Sequence, residues 1–142
     1  MANLQIDLNS MEKISLNGNE NIEKLILNGE LIWEKKSFKE VWSGSKQYYT
    51  DSDDYDSSNF EEASIPDNTN IRVSGHVWVG SNRVIFNDLI INVGETATIR
   101  VTFNNTTIDQ LIERTDANLI FKYKGYEELI GGIEINRVEA YY

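Results

Sequence analysis

The chain has 142 residues, enough for one domain of ordinary size or a smaller one with an appended module, and its 23 acidic against 13 basic side chains leave a formal charge of −10. That charge excludes a general phosphate-binding surface, so neither nucleic acid nor an anionic membrane is expected as a partner, and no run reaches the roughly 18 uninterrupted apolar residues of a membrane span. The absence of cysteine excludes disulfides, thiolate metal sites and cysteine nucleophiles together, while 40% hydrophobic and 11% aromatic residues exclude a disordered polymer.

From the N-terminus, MANLQIDLNS has neither the basic region nor the apolar core of a secretory signal, so synthesis in the cytoplasm is expected. Within it, LQIDL at 4–8 alternates apolar and polar residues as a strand with one buried face does. The next stretch says nearly the same thing twice: MEKISLNG starts at Met11 and IEKLILNG at Ile22, with five of eight positions identical. Each copy ends in Asn-Gly, which favours a two-residue type I′ turn because both residues accept positive φ. In the second copy, a turn at Asn28-Gly29 sets Leu27 opposite Glu30, Ile26 opposite Leu31, Leu25 opposite Ile32 and Lys24 opposite Trp33. Leu25, Leu27 and Ile32 then share one face, and Ile26, Leu31 and Trp33 the other. A ribbon with two apolar faces cannot cover itself and is marginal alone in water. Residues 1–36 are therefore expected to form a hairpin module that docks on the rest of the chain, a second copy or a different protein, with Ile26, Leu31 and Trp33 as its assembly residues.

EKKS at 34–37 is a charged joint. Beyond it FKEVWSGS reads as a strand ending at Gly44, and residues 46–70 read as a long polar loop with six carboxylates between Asp51 and Glu62. IRVSGHVWVG, RVIFNDLIINV, ATIRVTFN, NLIFKYKG and GIEINRVEAYY follow as β-rich runs parted by Gly, Asn and Asp, with turns at VGETA and in YKGYEEL. One short helix is expected where Thr107 and Gln110 form a capping box ahead of Leu111 and Ile112. The fold class is all-β: the hairpin module over 1–36 and an antiparallel, jelly-roll-like β-sandwich over 37–142, its first and last strands neighbours, with at most one short helix.

ISLNGNENIEKLILNGELIWE resembles a short module in structural proteins of tailed phages of Gram-positive bacteria. VWSGS at 41–45 and the terminal IEINRVEAYY resemble the opening and closing strands of β-sandwich domains in their tail, baseplate and receptor-binding components. The resemblance implies a virion protein made in the host cytoplasm, assembled with other tail or baseplate proteins as a homo-oligomer such as a trimer, and in contact with cell-wall saccharide.

Asp51, Asp53, Asp54 and Asp56 crowd the hard oxygens that calcium prefers, but the run lacks the glycine and the distant glutamate of an EF-hand loop, and a solvated acidic loop is the plainer reading. No cofactor is expected unless calcium binds there. Trp42, Tyr48, Tyr49, Tyr55 and Phe60 surround the same stretch. Flat rings beside carboxylate acceptors suit sugars, which offer apolar C–H faces edged by hydroxyls. Trp42 and Trp78 read as core, whereas Tyr48, Tyr49 and Tyr55, with Asp53 and Asp54, are the candidate saccharide contacts. His76 is the only histidine and, without cysteine, cannot build a typical zinc site; it reads as structural or superficial. No G-x-S-x-G elbow or phosphate-cradling loop occurs, and a pair of carboxylates is uninformative in a chain with 23 acids, so no enzymatic activity is expected.

The leading functional expectation is a noncatalytic tail or baseplate protein for assembly, attachment to host cell-wall saccharide, or both. Two alternatives are a free carbohydrate-binding module and an acidic inhibitor imitating the phosphate backbone of DNA. Lys and Arg interspersed with the acids along the strands weigh against the last.

Overall fold

The computed structural model describes residues 14–16, 19–22, 24–50, 57–124 and 131–142. The chain divides into two units, Met1–Ser37 with Tyr142, and Phe38–Tyr141. The described residues are strands, turns and connections without a helix, so none holds a helix long and apolar enough to cross a membrane.

In the first unit β1 (Ile14–Leu16) pairs antiparallel with β2 (Asn19–Ile22), and β3 (Lys24–Leu27) with β4 (Glu30–Glu34). Asn28 and Gly29 join β3 to β4 with φ of 53° and 82°, the left-handed pair that a type I′ turn requires. Leu27 faces Glu30 and Ile26 faces Leu31 as expected, but the register then shifts. Ile32 falls between pairs, so Leu25 stands opposite Trp33 and Lys24 opposite Glu34. One extra residue in a strand re-phases everything beyond it, which alternation alone does not reveal. The paired Ile26 and Leu31 are 60% and 55% exposed.

The second unit holds β5 (Phe38–Thr50), β6 (Ser57–Asn59), β7 (Ile71–Val79), β8 (Asn82–Ile91), β9 (Thr96–Phe103), β10 (Thr106–Arg114), β11 (Leu119–Lys124) and β12 (Gly131–Tyr141). They form two antiparallel four-stranded sheets, ordered β5-β12-β7-β8 and β6-β11-β10-β9. The first and last strands of this unit are adjacent, as expected. The core forms because each sheet sends one alternating set of apolar side chains inward: Ile71, Val73, Val77 and Val79 of β7 with Ile133 and Ile135 of β12, and Ile99, Val101, Ile108, Ile112 and Phe121 from the other sheet.

Four local expectations are corrected. Thr107 to Ile112 belong to β10, not a helix. Asn104 and Asn105, with φ of 49° and 62°, turn the chain back from β9, and Gln110 is buried and donates from Nε2 to the Lys122 carbonyl at 2.8 Å instead of capping anything. The strand expected to stop at Gly44 continues to Thr50, because pairing with β12 resumes at Lys46 beyond the irregularity at Gly44 and Ser45; the missing side chain of Gly44 makes room for the Trp42 indole, which would lie 2.9 Å from a Cβ there. The polar stretch 46–70 is consequently not all loop, since residues 46–50 end β5 and Ser57–Asn59 is β6. Finally, neither expected core tryptophan is fully buried. Trp42 is half-buried edge-on to Phe60, at 5.4 Å between ring centroids, and Trp78 stands on the outer face of its sheet.

Two features shape the sandwich. Register shifts of the β5-β12-β7-β8 sheet line up across all four strands, at Gly44 and Ser45 in β5, Asn136 in β12, Ser74 in β7, and Asn87 and Asp88 in β8, and a further one falls at Val41 in β5. Asn136 is the extra residue that lets Ile133 and Ile135 before it, and Val138 and Ala140 after it, all face the core. Asp88, at φ 53°, does the same in β8 between Phe86 and Ile91. At the end of β10, the Arg114 side chain is 0% exposed and donates to the Thr69 carbonyl (3.0 Å), the Pro66 carbonyl (2.9 Å) and Thr69 Oγ1 (3.2 Å), pinning the connection between β6 and β7.

Candidate functional site

The alternation that fills the core also decides what the first sheet shows to solvent. Cross-strand register places Tyr49 (β5), Gly132 (β12), Trp78 (β7) and Arg83 (β8) in one row, and Gln47, Glu134, His76 and Ile85 in the next. Burial confirms the phase: Val77 and Val79 are interior, while Tyr49 is 60% and Ile85 63% exposed.

In the first row Gly132 matters for what it lacks. A Cβ there would sit 2.7 Å from the Trp78 ring and 2.5 Å from the Tyr48 carbonyl oxygen, so only glycine lets the indole lie across β12. Trp78 thereby reaches Tyr49, with ring centroids 5.8 Å apart and planes at 83°, forming an aromatic corner. The Tyr49 hydroxyl donates to Gln47 Oε1. His76 extends the aromatic line, 5.8 Å from Trp78 and tilted 49° to it.

The second row centres on Glu134. Its Oε1 accepts from Ser45 Oγ at 2.7 Å and Gln47 Nε2 at 3.2 Å, and its Oε2 from Asn136 Nδ2 at 3.3 Å, with His76 Nδ1 3.4 Å away. The bulge at Asn136 helps to build this site, because the re-aimed amide can reach both the carboxylate and, at 3.4 Å, the Gly44 carbonyl. The Ser45 hydrogen bond chiefly holds the Glu134 carboxyl below its ordinary pKa, aided by Asn136, Gln47 and His76 against a smaller opposing effect of burial. Burial chiefly lowers the His76 pKa, and the Arg83 charge acts in the same direction while Glu134 opposes it. At neutral pH the carboxylate is therefore ionised and the imidazole neutral. Arg83 Nη2 lies 3.3 Å from His76 Nδ1, where a neutral ring can accept from it.

Of the residues expected from sequence to bind sugar, Tyr49 lies on this face. Tyr48 points the other way: its ring stacks on Phe121 with centroids 4.6 Å apart, and burial, with Glu62 and Glu61 adding to it, pushes its phenol pKa up to about 12. Tyr55, Asp51, Asp53, Asp54 and Asp56 lie outside the described residues, so the expected calcium loop does too. Among the described residues no group of three or more His, Asp or Glu is gathered to hold a metal ion. Trp78, His76, Glu134, Gln47 and Asn136 were missed as a group, although one signal for the first two was present. In IRVSGHVWV the valines take the inward phase, which leaves His76 and Trp78 outward.

Comparison with known proteins finds no match for this chain among family models, curated proteins or solved structures.

Proposed function

We propose that this protein is a noncatalytic attachment component of a phage tail or baseplate whose sandwich contacts cell-wall saccharide through the outer face of β5-β12-β7-β8. The observation that carries this reading is the outer-face corner of exposed Tyr49 and half-buried Trp78 beside a fixed array of hydrogen-bonding groups. Sugar rings stack their C–H faces on such rings, and Gln47, Asn136 and Glu134 are pre-positioned to meet hydroxyls at the ring edge. The resemblance of the N-terminal repeat to tail-protein modules supports the particle context, and the exposed Ile26 and Leu31 suit a unit that docks on another protein.

Chemistry at this face favours binding over turnover. Ser45 donates to Glu134 and not to His76, so the imidazole is not placed to take its proton, and an ionised carboxylate already accepting from three donors is a poor general acid. Sedimentation with purified Gram-positive cell walls tests the reading. Wild-type protein is expected in the pellet, and Trp78→Ala and Tyr49→Ala in the supernatant with folding intact by circular dichroism. Equal pelleting of all three, or none by the wild type, contradicts it. A free carbohydrate-binding module would pellet in the same way, and the two readings part on whether residues 1–37 capture a purified tail protein.

A further inference from the structure

The chain has five arginines, and four have committed guanidinium groups. Arg72 pairs with Glu139 at 2.6 Å, Arg100 with Asp109 at 2.8 Å and Arg137 with Asp88 at 2.8 Å, while Arg114 is buried against backbone carbonyls. Arg83 differs. It is exposed, stands opposite Trp78 across the β7–β8 pair, and its polar contact is one Nη2 against His76 Nδ1 at 3.3 Å. No carboxylate among the described residues pairs with it, in a protein where acids outnumber bases 23 to 13.

A guanidinium presents its donors in a planar fork suited to two oxygens of one carboxylate or phosphate. The histidine contact occupies one nitrogen and restrains the fork beside the indole, and no described residue takes the remaining donors. Glu134, the nearest acid in the array, is held by Ser45, Gln47 and Asn136 and does not form an ion pair with Arg83. The net charge of −10 opposes an anion at long range, but that field is screened beyond about 8 Å at physiological salt, whereas contact with Arg83 is not.

We infer that the outer face selects a saccharide carrying an anionic substituent, carboxylate or phosphate, with the substituent on Arg83 and the sugar ring against Trp78. This rests on the binding-face reading above and names the ligand class. Arg83 is the specificity-determining residue and Trp78 the general one.

The test is a titration of full-length protein, followed by amide and indole NMR shifts, with trigalacturonate and its neutral methyl ester. Mannose 6-phosphate against mannose forms a second arm that separates phosphate from carboxylate. Wild type is expected to bind one anionic form about tenfold more tightly than its neutral counterpart, with the preference shrinking as sodium chloride is raised. Arg83→Met should bind both forms of a pair equally, and Trp78→Ala should bind neither. Equal affinity for charged and neutral forms in the wild type, with loss of both in Trp78→Ala, overturns this inference and leaves the binding face standing. A charge preference that survives in Arg83→Met also overturns it. Shifts absent from both rows with every probe remove the inference and the binding-face reading together.

Discussion

Tyr48 and Tyr49 are adjacent in the chain and opposite in fate. The strand period of two sends one ring onto Phe121 and the other into solvent, and burial of the inner ring raises the Tyr48 pKa. The folded pKa of Tyr48, about 12, lies above its ordinary value of 10.0, so its contribution to stability is full below pH 10 and is lost as pH rises towards 12. Burial raises the Tyr123 phenol as well, so absorbance at the tyrosinate band should show late-titrating phenols whose amplitude falls in Tyr48→Phe, and the variant should lose part of the wild type's stability decline across that window. At the acid end, both Glu134 and His76 have folded pKa values below their ordinary ones, so each contributes most at higher pH and weakens the fold as protons return. Arg114 makes a sharper point. It is the least expected interior residue by type, and its removal leaves the Pro66 and Thr69 carbonyls buried without their donor. Arg114→Leu should cost about 3 kcal/mol in urea unfolding, and should expose the connection between β6 and β7 to protease first.

The elements show which kinds of pattern survive in a sequence and which do not. Asn-Gly at 28 and 29 was legible because the turn demands positive φ and few residue types accept it, and the structure has that geometry. Alternation in IRVSGHVWV and ATIRVTFN was legible because one face must be dry. The false helix at Thr107 arose from reading a capping box without weighing the β-branched residues around it, which pack well on a pleated surface, and the paired asparagines just before it, which were the real turn. Bulges were illegible. Asn136, Asp88 and the residue skipped at Ile32 each re-phase a strand, and a period-two reading passes through them without notice. That is also why the site was only partly visible, since Glu134 and Asn136 meet Ser45, 89 positions from Glu134 in sequence, at a register shift between β5 and β12. Deleting Asn136 tests the role assigned to it. The deletion should turn Val138 and Ala140 outward and abolish cooperative unfolding, whereas Asn136→Gly, which keeps the count, should leave a folded sandwich with a weaker Glu134 array.

At the scale of the molecule, function was less legible than fold. Two packed sheets follow from strand count, turn spacing and one dry face per strand, all of which are local signals. A binding face on the outside of a sheet has no such signature, because an outward tryptophan and an inward one look alike until the phase of the strand is known. The central claim is that the face bearing Tyr49, Trp78 and Glu134 is where ligand lands. Mapping soluble cell-wall fragments onto the protein by amide and indole NMR tests it most directly. The account predicts shifts confined to Gln47, Tyr49, His76, Trp78, Arg83, Gly132 and Glu134, with the Trp78 indole among the largest. Fragment binding that instead moves Thr98, Arg100, Asp109 and Lys122, on the outer face of the opposite sheet, would contradict it.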